Sequence, residues 1–207
     1  MNKVIDLRAF TNSVSVPTLV LIDLQEEYLA TSRALAIPNV QCALANCRSA
    51  LAHARSMGFP VAFTRWVGST FFNPATRFSG WIRGFEPNGS DSIFERKQPS
   101  CYASQHFAEV MTNNNGNFII AGFAGEAACL STAIEAFHRG HRVTYLEDAS
   151  ASHDLANMPA TEVHCFIRNL MGLWGNVVTT KSWIETTSRA VTWRGRAMQG
   201  ANDREET

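Results

Sequence analysis

Thr18-Leu-Val-Leu-Ile-Asp23 holds only aliphatic side chains between its two polar ends. A β-strand sends successive side chains to opposite faces, so a strand of this composition must be covered on both. That points to the interior of a parallel sheet with helices on either side. The rest of the chain agrees. Val40, Ala43, Leu44, Cys47, Leu51 and Ala54 recur at helical spacing, and Gly58-Phe-Pro60 stops that helix. Pro60 to Arg65 reads as a strand, Ser92 to Arg96 as a short one, and Ser104 to Thr112 as a helix. After the turn Asn113-Asn-Asn-Gly116, apolar strands at 117–121 and 142–147 flank a helix over 127–139, ended by Gly140. A helix over 159–172 and a last strand, Val177 to Thr180, complete the pattern. Repeated βα alternation predicts an α/β fold: a three-layer αβα, Rossmann-like single domain over 1–207 with a mostly parallel six-stranded sheet. Residues 66–91, rich in Gly and aromatics with little periodicity, read as a long functional loop. Residues from about 185 read as a polar, partly ordered tail.

In such sheets ligands bind beyond the carboxyl ends of the strands. Asp23, Arg65, Arg96, Gly122 and Asp148 all fall at strand C-termini and are expected at one edge. Asp23, at the mouth of an apolar strand, would have a raised pKa unless a cation offsets the desolvation; the alternative is a capping aspartate. Strand alternation puts Phe94 and Arg96 on one face and Lys97 on the other, although adjacent cations are often both solvated. Gly122 to Ala136 forms a strand, a tight turn and a helix N-terminus, whose backbone N–H groups can hold an anion. Cys129 there would be either activated by the helix start or packed in the core, where cysteines usually lie. Trp66, Phe71, Phe72, Trp81 and Phe85 line an apolar pocket, or else pack the loop or a subunit contact.

Composition excludes several classes. Lys+Arg and Asp+Glu both number 18, so net charge gives no reason to expect nucleic acid or an acidic membrane surface as partner. No apolar run reaches transmembrane length, and Met1 to Arg8 opens no signal-peptide core. Five cysteines in no disulfide or metal spacing suggest a reducing, cytoplasmic setting. His53, His106, His138, His141, His153 and His164 are scattered and read as surface or capping residues. No metal or cofactor is expected.

Leu21-Ile-Asp-Leu-Gln-Glu-Glu-Tyr28 and the block from Gly122 to Ala149, taken together, resemble the isochorismatase-like hydrolase family, often called cysteine hydrolases, over about residues 17–183. The resemblance implies Asp23 as general acid/base. It implies a second catalytic cation, usually Lys, four residues before a Ser-x-aromatic triplet. Ser100-Cys-Tyr102 is that triplet, and the count lands on Arg96. An arginine cannot donate a proton near neutral pH, but it can hold a carboxylate and a substrate anion. The family's nucleophilic Cys precedes the helix Thr by four residues. From Thr132 that position is Ala128, with Cys129 one residue late.

The resemblance also implies a cis Phe123–Ala124 bond and an oxyanion site at the amides of Ala124 and Ala128. Ala128-Cys129-Leu130 is closer to the isochorismatase subgroup, which has Gly-Cys in this register, lacks a nucleophile and protonates a vinyl ether from its Asp. The metal-binding nicotinamidase branch has an Asp-x-His arrangement where Arg65 to Pro74 holds no His. Gln25, Tyr28, Arg65, Trp66, Phe72, Trp81 and Tyr102 are the expected substrate pocket. The function implied is hydrolysis of a small, partly aromatic or amphipathic molecule in a homo-oligomer. The alternatives are a thiol amidohydrolase using Cys129 and a ligand-binding or scaffold protein without turnover.

Overall fold

The computed structural model describes residues 16–189. Its strands are β1 (Thr18–Ile22), β2 (Val61–Trp66), β3 (Ser92–Arg96), β4 (Asn117–Gly122), β5 (Arg142–Ser150) and β6 (Asn176–Val178). Its helices are α1 (Gln41–Ser56), α2 (Gln105–Asn113), α3 (Leu130–His138) and α4 (Ala160–Trp174). The strands form one sheet in the order β3-β2-β1-β4-β5-β6, and every pairing is parallel. All of β1 is buried. Leu19 and Leu21 pack on the side of α1 with Leu44, Cys47 and Leu51. Val20 and Ile22 pack on the other side with Phe107 of α2, Ala133 of α3 and Ile167 of α4. Each such aliphatic side chain contributes roughly 1.5–3 kcal/mol when fully buried. The strand's unbroken aliphatic run is thus what joins the two outer layers.

From β1 the sheet grows in one direction through β2 and β3, and from β4 in the other through β5 and β6. The switch point lies between β1 and β4, where chains diverge and leave a crevice. Asp23 leaves β1 at that point and Gly122 ends β4 beside it.

Three element boundaries differ from those read in the sequence. β5 runs on to Ser150 because pairing skips from Ile120–Tyr145 to Gly122–Ser150, which makes a bulge. The helix expected from 127 opens instead as a π turn, Gly125–Cys129, before α3. β6 stops at Val178 because Asp148 Oδ1 accepts hydrogen bonds from both the amide and the hydroxyl of Thr180, each at 2.7 Å. The chain is then helical from 180 to 189, and Trp183 is buried against His53 and Phe59. Residues 185–189, the start of the expected polar, partly ordered tail, belong to that helix; the rest of that expected tail lies outside the described residues.

Candidate active site

Asp23 has φ +48° and its amide donates to Thr64 O, which turns the chain out of β1 with the carboxyl pointing back into the protein. Gly122 has φ +117°, and a Cβ there would lie 2.1 Å from Ile22 O. Only glycine lets β4 end this close to β1. Phe123–Ala124 is a cis bond. The π turn follows: the Gly125 amide donates to Ala151 O, and the Cys129 amide to Ala124 O. Thr132 ties this turn to the next segment. Its hydroxyl donates to Ala128 O at 2.7 Å and accepts from the Cys101 amide at 3.0 Å.

Arg96 Nη2 lies 2.7 Å from Asp23 Oδ2, and both side chains are essentially inaccessible. Lys97 is exposed. Asp23 Oδ1 and Arg96 Nε are buried with no hydrogen-bond partner among the described residues. Burial is the dominant influence on Asp23. It pushes the carboxyl up to about 6, against the lowering by Arg96's charge and hydrogen bond and the Trp66 amide. Burial alone would lower Arg96, but Asp23 outweighs it and holds the guanidinium protonated. Only the carboxyl of this pair titrates near neutral pH.

The Trp66 ring lies over the Arg96 guanidinium, 5.3 Å from its Cζ. Trp66 also lines a cavity of about 460 Å³. Its lining includes Tyr28, Trp66, Phe71, Phe72 and Ala124, together with Glu126, Ala127 and His153. Tyr28 packs edge-on against Phe72 and Phe123, with centroids 5.1 and 5.9 Å away. Glu27, fully buried, accepts from Arg33 Nε at 2.7 Å and from the Phe72 amide at 3.4 Å, and so pins the loop that carries the aromatic wall.

The expected residues therefore separate. Tyr28, Trp66, Phe72 and Ala124 line the cavity; Asp23, Arg96, Phe123 and Ala128 are buried apart from its lining. Four residues expected in the pocket do not line this cavity. Gln25 is fully buried and braces the wall from behind: its amide accepts from Trp66 N and donates to the carbonyls of Trp66 and Ser79. Arg65 turns away to Glu95 and over the Trp81 ring. Trp81 packs on Phe63 at 5.5 Å. Tyr102 lies in the opposite core layer, its hydroxyl 2.6 Å from His141 Nδ1. Asp148 likewise leaves the expected cluster, held by Thr180.

Cys129 is fully buried, its sulfur 3.6 Å from Gly122 O and 3.9 Å from Ser150 Oγ. Burial drives its pKa well above the ordinary thiol value. A thiol held protonated in the core is a poor nucleophile.

The sequence reading missed Glu126 and His153. His153 Nε2 lies 2.9 Å from Leu35 O, and Nδ1 lies 2.6 Å from Glu126 Oε1. A carbonyl and a carboxylate both only accept, so these two contacts favour the doubly protonated ring. His153 is raised accordingly: burial would lower it, but Glu126 and the Leu35 carbonyl outweigh burial. For Glu126 burial would raise the pKa, but the bond and charge of His153, the Glu126 backbone amide and the Ser152 hydroxyl together bring it below the ordinary value. The residues are 27 positions apart, and no periodicity links them.

An isochorismatase domain model matches residues 17–182. The chain belongs to the isochorismatase family of hydrolases. Its fold is close to that of an isochorismatase from Pseudomonas putida KT2440, at 28% identity and TM-score 0.76, covering 85% of this chain and 96% of that one. A cysteine hydrolase from Pseudomonas syringae pv. phaseolicola shares the fold at TM-score 0.78 with 18% identity, covering 85% and 94%. Streptothricin hydrolase of Streptomyces noursei is 24% identical over 147 residues, which are 70% of this chain and 58% of that protein. This isochorismatase-family chain thus spans little more than half the length of that relative. No helix among its described residues is long and apolar enough to cross a membrane.

Proposed function

We propose that this chain hydrolyses a small, partly aromatic or amphipathic molecule without a covalent enzyme intermediate. Asp23 acts as the general acid/base and Arg96 as its electrostatic partner. The amides of Ala124 and Ala128 receive the negative charge that develops on substrate. One observation carries the reading: a buried carboxyl at the sheet's switch point, held by an arginine and titrating at about 6. A group with that pKa holds a proton in the working range and can release it. In the proposed step Asp23 gives its proton to the substrate, water adds to the electron-poor centre, and the proton that water loses restores the acid. The adduct then breaks its bond to the leaving group, which departs with the proton of the added hydroxyl. Ala128 presents a methyl group where the family's thiol would stand, so this route asks for no sulfur. The packing of Cys129 argues against its use as a substitute.

A second reading has its own support. Asp23 is wholly inaccessible and is not part of the cavity wall, as a protein that only binds its ligand would allow. Turnover of a panel of amides, esters and vinyl ethers by the wild type and by Asp23→Asn separates the two. Hydrolysis lost in the variant supports the acid; hydrolysis that survives there removes Asp23 from the chemistry. Binding without turnover in either favours the second reading.

Two broader expectations are also proposals. The five cysteines are free, which fits a reducing compartment. Phe137 of α3 and Phe166 and Leu173 of α4 are more than half exposed, which supports a homo-oligomer.

A further inference from the structure

The part of the cavity lining formed by Glu126 and His153 has a polarity that the aromatic wall lacks. The Glu126 side chain is 10% exposed. Its Oε1 accepts from His153 Nδ1 at 2.6 Å and from the His153 amide at 3.4 Å. Its Oε2 is buried and makes no hydrogen bond of ordinary geometry among the described residues, although the Ser152 hydroxyl lies near enough to the carboxylate to lower its pKa. A buried carboxylate oxygen without a donor is costly, more so in an apolar site. His153 cannot serve as a counter-charge for an incoming anion, because both ring nitrogens already face acceptors. Two other cations lie nearby and both are paired: Arg96, against the Trp66 ring, faces Asp23, and Arg33, which reaches the Thr70 carbonyl of the cavity lining, pairs with Glu27. The remaining wall includes the rings of Tyr28, Trp66, Phe71 and Phe72, whose faces attract cations and repel anions.

We infer that Glu126 determines specificity: its free oxygen takes an N–H donor, foremost an ammonium group, carried on an aromatic or apolar substrate body. A substrate presenting a carboxylate to this part of the lining is disfavoured, because it would lose water against an acceptor with no free donor to replace it. An ammonium gains a charge-assisted hydrogen bond and the aromatic faces together. The inference rests on the hydrolase reading only in taking this cavity as the place where substrate sits.

The test is binding of benzylamine, benzamide and benzoate to the full chain at pH 7, followed by Trp fluorescence and by NMR. These probes share one ring and differ in the head group. Benzylammonium is expected to bind at least about tenfold tighter than benzoate, and Glu126→Gln to bring the two within about threefold. Equal binding by the wild type, a preference that survives in Glu126→Gln, or failure of all three to bind at millimolar concentration overturns the inference. Should Glu126→Gln not fold, His153→Gln gives an independent answer. It removes the imidazolium and leaves the carboxylate, so the preference for benzylammonium should grow; a smaller preference overturns the inference. Selective binding with no hydrolysis of any substrate would leave Glu126's role standing and sink the hydrolase reading. Hydrolysis confined to carboxylate-bearing substrates would do the reverse.

Discussion

Arg96 meets Asp23 through one contact, Nη2 to Oδ2 at 2.7 Å, and among the described residues Asp23 Oδ1 and Arg96 Nε are buried without a hydrogen-bond partner. A bidentate fork would have held the carboxylate firmly ionised. The single contact only partly offsets the burial, and the carboxyl titrates at about 6. One half of the carboxyl is thus held by the cation, and the other half is free to carry the proton that the proposed chemistry needs.

The first prediction is kinetic. If Asp23 is the acid, kcat/KM on a cleaved substrate is highest with the carboxyl protonated and falls as pH rises through about 6. Asp23→Asn should lose that limb with most of the activity. A limb that remains in the variant belongs to another group.

The second prediction concerns stability. The folded pKa of Asp23 lies above its ordinary value of 3.8. Its contribution is therefore fully present below that value and is lost as pH rises through about 6. Arg96→Met removes the attraction that limits the rise. It should destabilise by about 3–5 kcal/mol at pH 8, where the buried charge stands alone, and by clearly less at pH 5. Denaturant melts at the two pH values check this; equal losses at both would mean that the pair is not what the substitution breaks.

The third prediction tests the wall. Trp66 contacts the Arg96 guanidinium and also lines the cavity. Trp66→Ala should admit water, weaken the desolvation and move the Asp23 titration from about 6 back toward 3.8, seen as a shift of the pH–rate limb or by carboxyl NMR. An unmoved titration would show that the ring does not seal the pair.

A good part of this arrangement was legible in the chain. An all-aliphatic strand ending in Asp23 dictates two covering layers, and those layers place Asp23 at the crevice. Arg96 and Lys97 were not separated by the residues alone: the count back from Ser100 rests on the family resemblance, and strand alternation adds only that the two residues point to opposite faces. The cavity wall was less legible. Gln25, Arg65, Trp81 and Tyr102 have the residue types of a pocket, yet loop packing decides which of them face it. Gln25 braces the loop and Arg65 finds Glu95. Glu126 and His153 carried no local signal, since their meeting depends on the β5 bulge and the long-range fold. The π turn was hidden for a related reason: Ala-rich sequence suits either helical form, and the Gly125 to Ala151 bond that fixes its start is tertiary.

The fourth prediction concerns the β1–β4 junction. Gly122→Ala puts a methyl group into the Ile22 backbone at a φ that side chains rarely adopt. The loss should exceed about 3 kcal/mol, combining backbone strain and clash. Thermal unfolding of the variant reads it directly. A loss under about 1 kcal/mol would mean that the strands can separate there at little cost.

The last prediction addresses sulfur. Cys129 Sγ lies within 3.6 Å of the Gly122 carbonyl and 3.9 Å of the Ser150 hydroxyl, in a fully buried site. A serine hydroxyl fits the same space and can donate to the same carbonyl. Cys129→Ser should therefore keep hydrolysis within about tenfold of wild type, about 1.4 kcal/mol in barrier. Loss of a true nucleophile would cost several orders of magnitude. Collapse of activity in a folded Ser variant, or a substrate-derived adduct on Cys129 seen by mass spectrometry, would reinstate the thiol. Ala128→Cys is the converse experiment. Ala128 shares its buried cluster with Ile22, the residue before Asp23. A thiol there would start protonated by burial and would need Asp23 to take its proton. Amide or ester cleavage gained in Ala128→Cys and lost again in the double variant with Asp23→Asn would show a pocket still shaped for covalent chemistry. Absence of any gain in a well-folded variant would show that this pocket is not arranged for attack by a thiol at 128, as expected if water is the nucleophile or the cavity only binds.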